Sequence, residues 1–269
     1  MITPRMFFRR PEPKLSKVDF IVAGAQKAGT TAVHYFLERH PQITLPDKQE
    51  LHFFDDDERF ARGVDYEALH RSFRPKRGSL IAGECTPSYV YWGPAIERIW
   101  NYRREIKLII LLRNPILRAF SHWNMQCERK FEALDFLDAI RAEPARLAAA
   151  RPLQSRRFSY LDRGFYSAQL ERVYHYFPRV QVHVVKYETF RDRQKETLDS
   201  IFGFLGVESI GRVAFKERNK IAYGRPITAE ERHYLAEIYR DEISKVEQLL
   251  EWDCSDWAGD GRQLAAYAV

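Results

Sequence analysis

Cysteine is scarce in this chain of 269 residues: Cys85, Cys127 and Cys254 lie far apart, with no CxxC spacing. An odd, scattered set excludes a disulfide framework and a zinc-ribbon type of site, and it fits a reducing compartment. The eight histidines are equally dispersed, so the sequence offers no metal-ligand cluster and predicts chemistry without a metal. Long apolar runs are missing too. No stretch approaches the roughly 20 apolar residues that span a bilayer, and proline and charge interrupt the basic opening MITPRMFFRRPEPKLSK before a signal-peptide core can form. These absences predict a soluble, cytoplasmic protein with no transmembrane segment. No repeat and no long polar linker divides the chain, so residues 1–17 read as an N-terminal tail and residues 18–269 as a single domain. Nothing in the sequence bears on oligomeric state.

The charge balance is basic but mixed. Forty-three Lys and Arg against 37 Asp and Glu give a net charge of +6, which suits an anionic small ligand better than a nucleic-acid face. Short apolar runs alternate with helical patterns. VDFIVAGA from Val18, SLIAGE from Ser79, KLIILL from Lys107 and QVHVVK from Gln181 have the length and β-branched content of buried strands. Helical periodicity covers about residues 29–39, 94–103, 115–129, 167–176, 195–205 and 228–250, the last opening with a Thr228–Glu231 capping-box pattern. The alternation predicts an α/β fold of three layers, a mostly parallel central sheet flanked by helices. Arg141–Gly164, with its prolines, alanines and arginines, reads equally well as a surface helix plus loop or as a lid over a site.

FIVAGAQKAGTTAVHYFL, from Phe20, is the most informative stretch. A strand, a glycine loop and a helix start converge backbone N–H groups and the positive end of a helix dipole on one point, which is how proteins bind phosphate. A nucleotide-hydrolysing P-loop reads GxxxxGK[ST], yet Lys27 here precedes the second glycine, Gly29, and Thr30 and Thr31 follow it. KLIILLRNPILRAFSHW repeats the arrangement at another strand end. Arg113 ends a buried strand, Pro115 opens the next helix, and Ser121 lies two turns on. An arginine fork and a serine hydroxyl suit phosphate oxygens, whereas Arg118 fits helix solvation equally well. KQELHFFDDD then brings Glu50 and His52 two residues apart, so an extended segment would aim both at one face as base and helper; a core strand with a bonded histidine is the plain alternative.

Taken together, AGAQKAGTT, RNPxxRAxSxW and ExHFFD resemble the sulfotransferases that use 3′-phosphoadenosine 5′-phosphosulfate (PAPS), above all the heparan sulfate and bacterial-type carbohydrate branch. The resemblance runs from about Phe20 to Trp257 and implies a P-loop-like fold. It implies that Lys27, Ala28, Gly29, Thr30 and Thr31 cradle the 5′-phosphosulfate, with Lys27 stabilising the leaving phosphate, and that Arg113 and Ser121 hold the 3′-phosphate. Tyr223, Gly224 and Arg225 stand where the family has a KGR-like triplet, with tyrosine in place of lysine. Glu50 would be the general base and His52 its supporting group. PAPS would be the donor, PAP the product, and the acceptor a hydroxyl of a carbohydrate, lipid or other small molecule. Cys85 departs from the family's GEKxPxY, where a lysine is expected, and so points to a less charged acceptor; Glu84, Thr86, Tyr89 and Trp92 of the same segment read as acceptor-side residues or as core. Two other classes compete: a P-loop nucleotide kinase, which would need the GK[ST] lysine and a magnesium-binding aspartate, and a basic module whose affinity would fall steeply with salt.

Overall fold

Aliphatic strands and amphipathic helices alternate along the chain in the computed structural model, which describes residues 17–152, 154–211 and 224–258. In chain order these elements are β1 (Phe20–Gly24), α1 (Thr30–Arg39), β2 (Ile43–Thr44), α2 (Asp57–Ala61), α3 (Tyr66–His70), β3 (Ile81–Cys85), α4 (Ala95–Tyr102), β4 (Lys107–Leu112), α5 (Pro115–Glu128), α6 (Phe136–Ala150), α7 (Tyr166–Tyr176), β5 (Val182–Lys186), α8 (Tyr187–Asp192), α9 (Gln194–Leu205), α10 (Ala229–Leu250) and α11 (Ser255–Ala258). The strands form one sheet in the order β2-β3-β1-β4-β5, every pair parallel. Burial follows from that topology. All five residues of β1 are inside, and so are five of the six in β4, because parallel strands are covered on both faces. Helices α4, α5, α7 and α10 pack on one another, while α1 and α9 lie against the edge strands β2 and β5.

Because the strands are parallel, the carboxyl ends of β3, β1 and β4 lie side by side along one edge of the sheet. The loops after them therefore meet, which is where open α/β sheets bind ligands. Three helix ends have local causes, two at the start and one at the finish. Asn114 accepts hydrogen bonds from the N–H groups of Ile116 and Leu117 ahead of Pro115. The expected capping box of α10 is present, with Thr228 and Glu231 satisfying each other's backbone N–H. Glycine at the end of α9 adopts φ 80° at Gly206 and stops that helix.

The main departures from the sequence reading are β2, two residues long, and α6. Pro144 sits inside α6 and ought to break it. Long-range bonds hold the helix instead: the buried Glu143 carboxylate accepts the N–H groups of Leu161 and Asp162 at 2.7 and 2.8 Å, and Arg146 pairs with Glu132. Among the described residues after α6, Ser159 and Tyr160 are fully buried while Arg156 and Arg157 are exposed.

Close packing also decides one glycine. A Cβ on Gly83 would lie 2.1 Å from the ring of Phe20 on the neighbouring strand. Gly83→Ala is expected to destabilise the protein by about 1–3 kcal/mol through overpacking, seen as a lower urea midpoint with an unchanged slope.

Candidate active site

The loop after β1 is tied to the sheet where the Ala25 N–H donates to the Leu111 carbonyl at 2.7 Å. Lys27 then takes φ 68° and Gly29 φ 90°, two left-handed residues that turn the chain into α1. A Cβ at Gly29 would also come within 2.6 Å of the Tyr187 ring, so conformation and space both require glycine there. No side chain caps α1, and its first turn carries no acidic residue. Its leading N–H groups and the positive end of its dipole thus face an outside anion. Ala28 adds packing to the loop, its methyl buried and its N–H bonded to the Ala25 carbonyl at 3.1 Å.

Lys27 and Arg113 meet in this corner. Arg113 Nη1 donates to the Lys27 carbonyl at 3.2 Å, and its guanidinium lies 5.0 Å from the centre of the Tyr187 ring. Nε of Arg113 is buried with no protein partner. Burial, followed by the charges of Arg113 and Arg129, pushes the Lys27 ammonium down to about 8, against weaker support from Glu128 and Glu50. A buried cation beside another cation has an unmet need for negative charge. Glu188 steadies the Arg113 turn, accepting the Asn114 N–H at 3.0 Å and the Trp257 indole N–H at 3.1 Å.

Glu50 and His52 come together for a different reason than the sequence pattern implies. Both have left-handed backbones, φ 57° and 52°, in a loop without strand structure. The His52 imidazole reaches Glu50 Oε2 through Nε2 at 3.6 Å and Asp55 Oδ2 through Nδ1 at 3.0 Å. Asp55 is fully buried and also accepts from Ser88 Oγ at 2.7 Å and Arg156 Nη1 at 2.8 Å. Burial alone would raise the Asp55 carboxyl, but hydrogen bonds from His52 and Ser88 and the Arg156 charge bring it down to about 2. Hydrogen bonds that the ring donates to Asp55 and Glu50 lift His52 to about 9, which favours the imidazolium at neutral pH.

The Sulfotransferase domain family model matches residues 17–220. The chain belongs to the sulfotransferase-domain family. Among solved structures, a sulfotransferase from Alicyclobacillus acidocaldarius superposes with a TM-score of 0.79 at 26% identity, over 91% of this chain and all of that one. Among curated relatives, the membrane-associated sulfotransferase kil1 of Dictyostelium discoideum is 24% identical over 87% of this chain and 65% of its own length. Heparan sulfate glucosamine 3-O-sulfotransferase 5 of Mus musculus is 31% identical over 61% of this chain and 46% of its own. The chain thus spans less than two thirds of the length of these curated relatives.

Within this sulfotransferase domain, Lys27, Arg113, Glu50 and His52 form one neighbourhood, with Gly29, Thr30 and Thr31 at the start of α1. Ser121 is buried two turns along α5. The Arg225 guanidinium forms two bonds to Glu231 and lies over Phe120 and Trp123, the α5 residues that flank Ser121 in sequence. Gly224 stands in open space, and Tyr223 falls outside the described residues. Arg118, with 0% exposure, does not solvate its helix; it donates to the Tyr160 carbonyl. Sequence reasoning missed Asp55, Ser88, Arg156 and Tyr187 as site residues. Asp55 could have been found as the aspartate three residues after His52, but Ser88 and Arg156 arrive from separate loops. Among the described residues, no three His, Cys, Asp or Glu side chains cluster as metal ligands, and no helix is long and apolar enough to cross a membrane.

The His52 shift makes a stability prediction with a defined sign. A pKa raised from 6.5 to about 9 stabilises the fold fully below pH 6.5, and that contribution disappears as pH rises through about 9. Urea unfolding of His52→Ala should therefore show a clear deficit against the parent at pH 6 that shrinks steadily by pH 10.

Proposed function

We propose that the protein transfers the sulfuryl group of PAPS to an acceptor hydroxyl by in-line displacement, releasing PAP. The observation that carries this reading is the placement of Lys27, a half-buried ammonium within electrostatic reach of both Arg113 and Glu50. The chain's anion-seeking groups fit such a donor: the uncapped start of α1, the unpartnered Arg113 Nε and the Lys27 ammonium. PAPS supplies the activated sulfur–oxygen bond, which breaks as the acceptor oxygen bonds to sulfur.

Glu50 accepts the proton from the acceptor hydroxyl. His52, held by Asp55, presents an imidazolium N–H to Glu50 and orients its carboxylate. Lys27 and the backbone N–H groups of Gly29, Thr30 and Thr31 receive the negative charge that develops on the departing phosphate. Arg113 and Ser121 bind the 3′-phosphate, fixing the nucleotide so that its sulfur faces Glu50. The acceptor is a hydroxyl of a carbohydrate, lipid or other small natural product. Cys85, a buried neutral thiol at the end of β3, supplies no fixed positive charge, which favours an acceptor with few anionic groups. The lysine-after-glycine order of a kinase P-loop is absent from the sequence, so no observation favours the kinase reading.

Calorimetry with PAP, set beside ATP with magnesium, tests the nucleotide assignment. Binding of PAP and not of ATP is expected, and the reverse preference would sink the proposal. Glu50→Gln should bind PAP as the parent does while turnover falls about 10²–10⁴-fold, the usual worth of a general base; undiminished turnover would remove Glu50 from the mechanism. Lys27 adds a second check. An anion beside it should raise its pKa, so PAP binding at pH 8 should take up about half a proton, measured as a dependence of binding heat on the buffer's ionisation enthalpy.

A further inference from the structure

Glu84 is a buried carboxyl that the chemistry above leaves unused. It sits next to last in β3 with 0% exposure, and it forms no ion pair among the described residues. Burial raises its pKa to about 7, against hydrogen bonds from Tyr89 and Thr86. Such a group is costly to keep in a core, so its surroundings should explain it. Thr86 Oγ donates to Glu84 Oε2 at 2.8 Å, the Tyr89 hydroxyl lies within electrostatic reach of the same carboxyl, and Glu84 Oε1 is buried with no hydrogen-bond partner. Both hydroxyls have a second engagement on their far side. Thr86 Oγ accepts the N–H of His52 at 3.4 Å, while the Tyr89 oxygen accepts the N–H groups of Phe53 at 2.9 Å and Phe54 at 3.3 Å.

Three successive backbone N–H groups therefore end on two hydroxyl oxygens. A hydroxyl has one proton to donate and lone pairs to accept with. When the oxygen accepts from the backbone, its own proton must find another acceptor: that of Thr86 goes to Glu84 Oε2, and Glu84 is also the carboxyl within reach of Tyr89. The segment held this way contains His52 and follows Glu50, both in left-handed conformations, with no strand or helix of their own to hold them. We propose that Glu84 is a positioning residue that, through the hydroxyls of Thr86 and Tyr89, fixes the strained backbone carrying Glu50 and His52. It touches neither acceptor nor nucleotide. Its effect reaches the reaction through the separation and aim of the Glu50–His52 pair. The inference rests on the sulfuryl-transfer reading for its effect on rate, but its effect on the backbone is independent of that reading.

The test uses Thr86→Val, which keeps the shape and removes the hydroxyl, with Thr86→Ser as the restoring variant and Glu84→Met as the acceptor-free one. Three quantities are read: PAP affinity, kcat, and the titration of the His52 ring by NMR. The groups facing that ring are Glu50, Asp55 and Ser88, with Arg156 paired to Asp55 and Glu84 within electrostatic reach. Thr86→Val and Glu84→Met should bind PAP within about twofold of the parent, lose about 10-fold or more in kcat, as misplacement of reacting groups does, and shift the His52 midpoint from about 9 towards 6.5. Thr86→Ser should recover both kcat and the midpoint. Parent-like kcat and His52 titration in Thr86→Val would overturn the proposal, as would a loss of PAP affinity in step with kcat, which marks a general loosening of the fold. The His52 titration needs no turnover, so a failure of the sulfuryl-transfer reading, seen in the PAP and Glu50→Gln experiments, remains distinguishable from a failure here.

Discussion

Two half-buried cations sharing one corner set the character of this molecule. Lys27 and Arg113 would separate in a free chain, yet the fold joins the backbone of one to the side chain of the other and partly withdraws both from water. Only the architecture around them makes this tenable. The sheet order brings the carboxyl ends of β1 and β4 side by side, the Ala25 N–H locks the loop to Leu111, and the Tyr187 ring fills the space between Gly29 and Arg113. The resulting positive potential is concentrated where the uncapped start of α1 adds to it.

Within electrostatic reach of this corner stands a polar chain with the contrary logic. His52 is held as a cation between carboxylates, and its far end is anchored in Asp55, which is itself satisfied by Ser88 and Arg156. Each buried charge in the chain has a counter-charge or hydrogen bonds, the condition under which burial orders a site and does not disrupt it. The Trp92 ring lies under the Arg156 guanidinium at 4.1 Å, so even the outer member of the chain is fixed by packing.

What could be read from the sequence was what local pattern encodes. KLIILL became β4 with the same ends, because a fully buried parallel strand is a continuous apolar run. Thr228 and Glu231 marked the start of α10, because a capping box is a contact over three residues. The Lys27 loop and the Arg113 turn were legible because strand-loop-helix junctions have their own grammar. The missing parts are those made by distant contacts. Pro144 left the region of α6 open between a surface helix and a lid, whereas Glu143 secures the helix by bonds to residues 161 and 162, and Arg156 reaches Asp55 across 101 positions. The nearness of Glu50 and His52 was anticipated, although it comes from two left-handed residues and not from the alternation of a strand. Arg118 shows the opposite limit: its charge suggested water, and its position on α5 is entirely internal.

Among the described residues with side chains, Lys27, Glu50 and His52 are three of the five that adopt positive φ. Glycine would rest more easily at each of these positions. A breeding scheme that rewarded heat resistance alone would accordingly be drawn to replace them, whereas the present chain keeps an ammonium, a carboxylate and an imidazole on backbone that favours none of them.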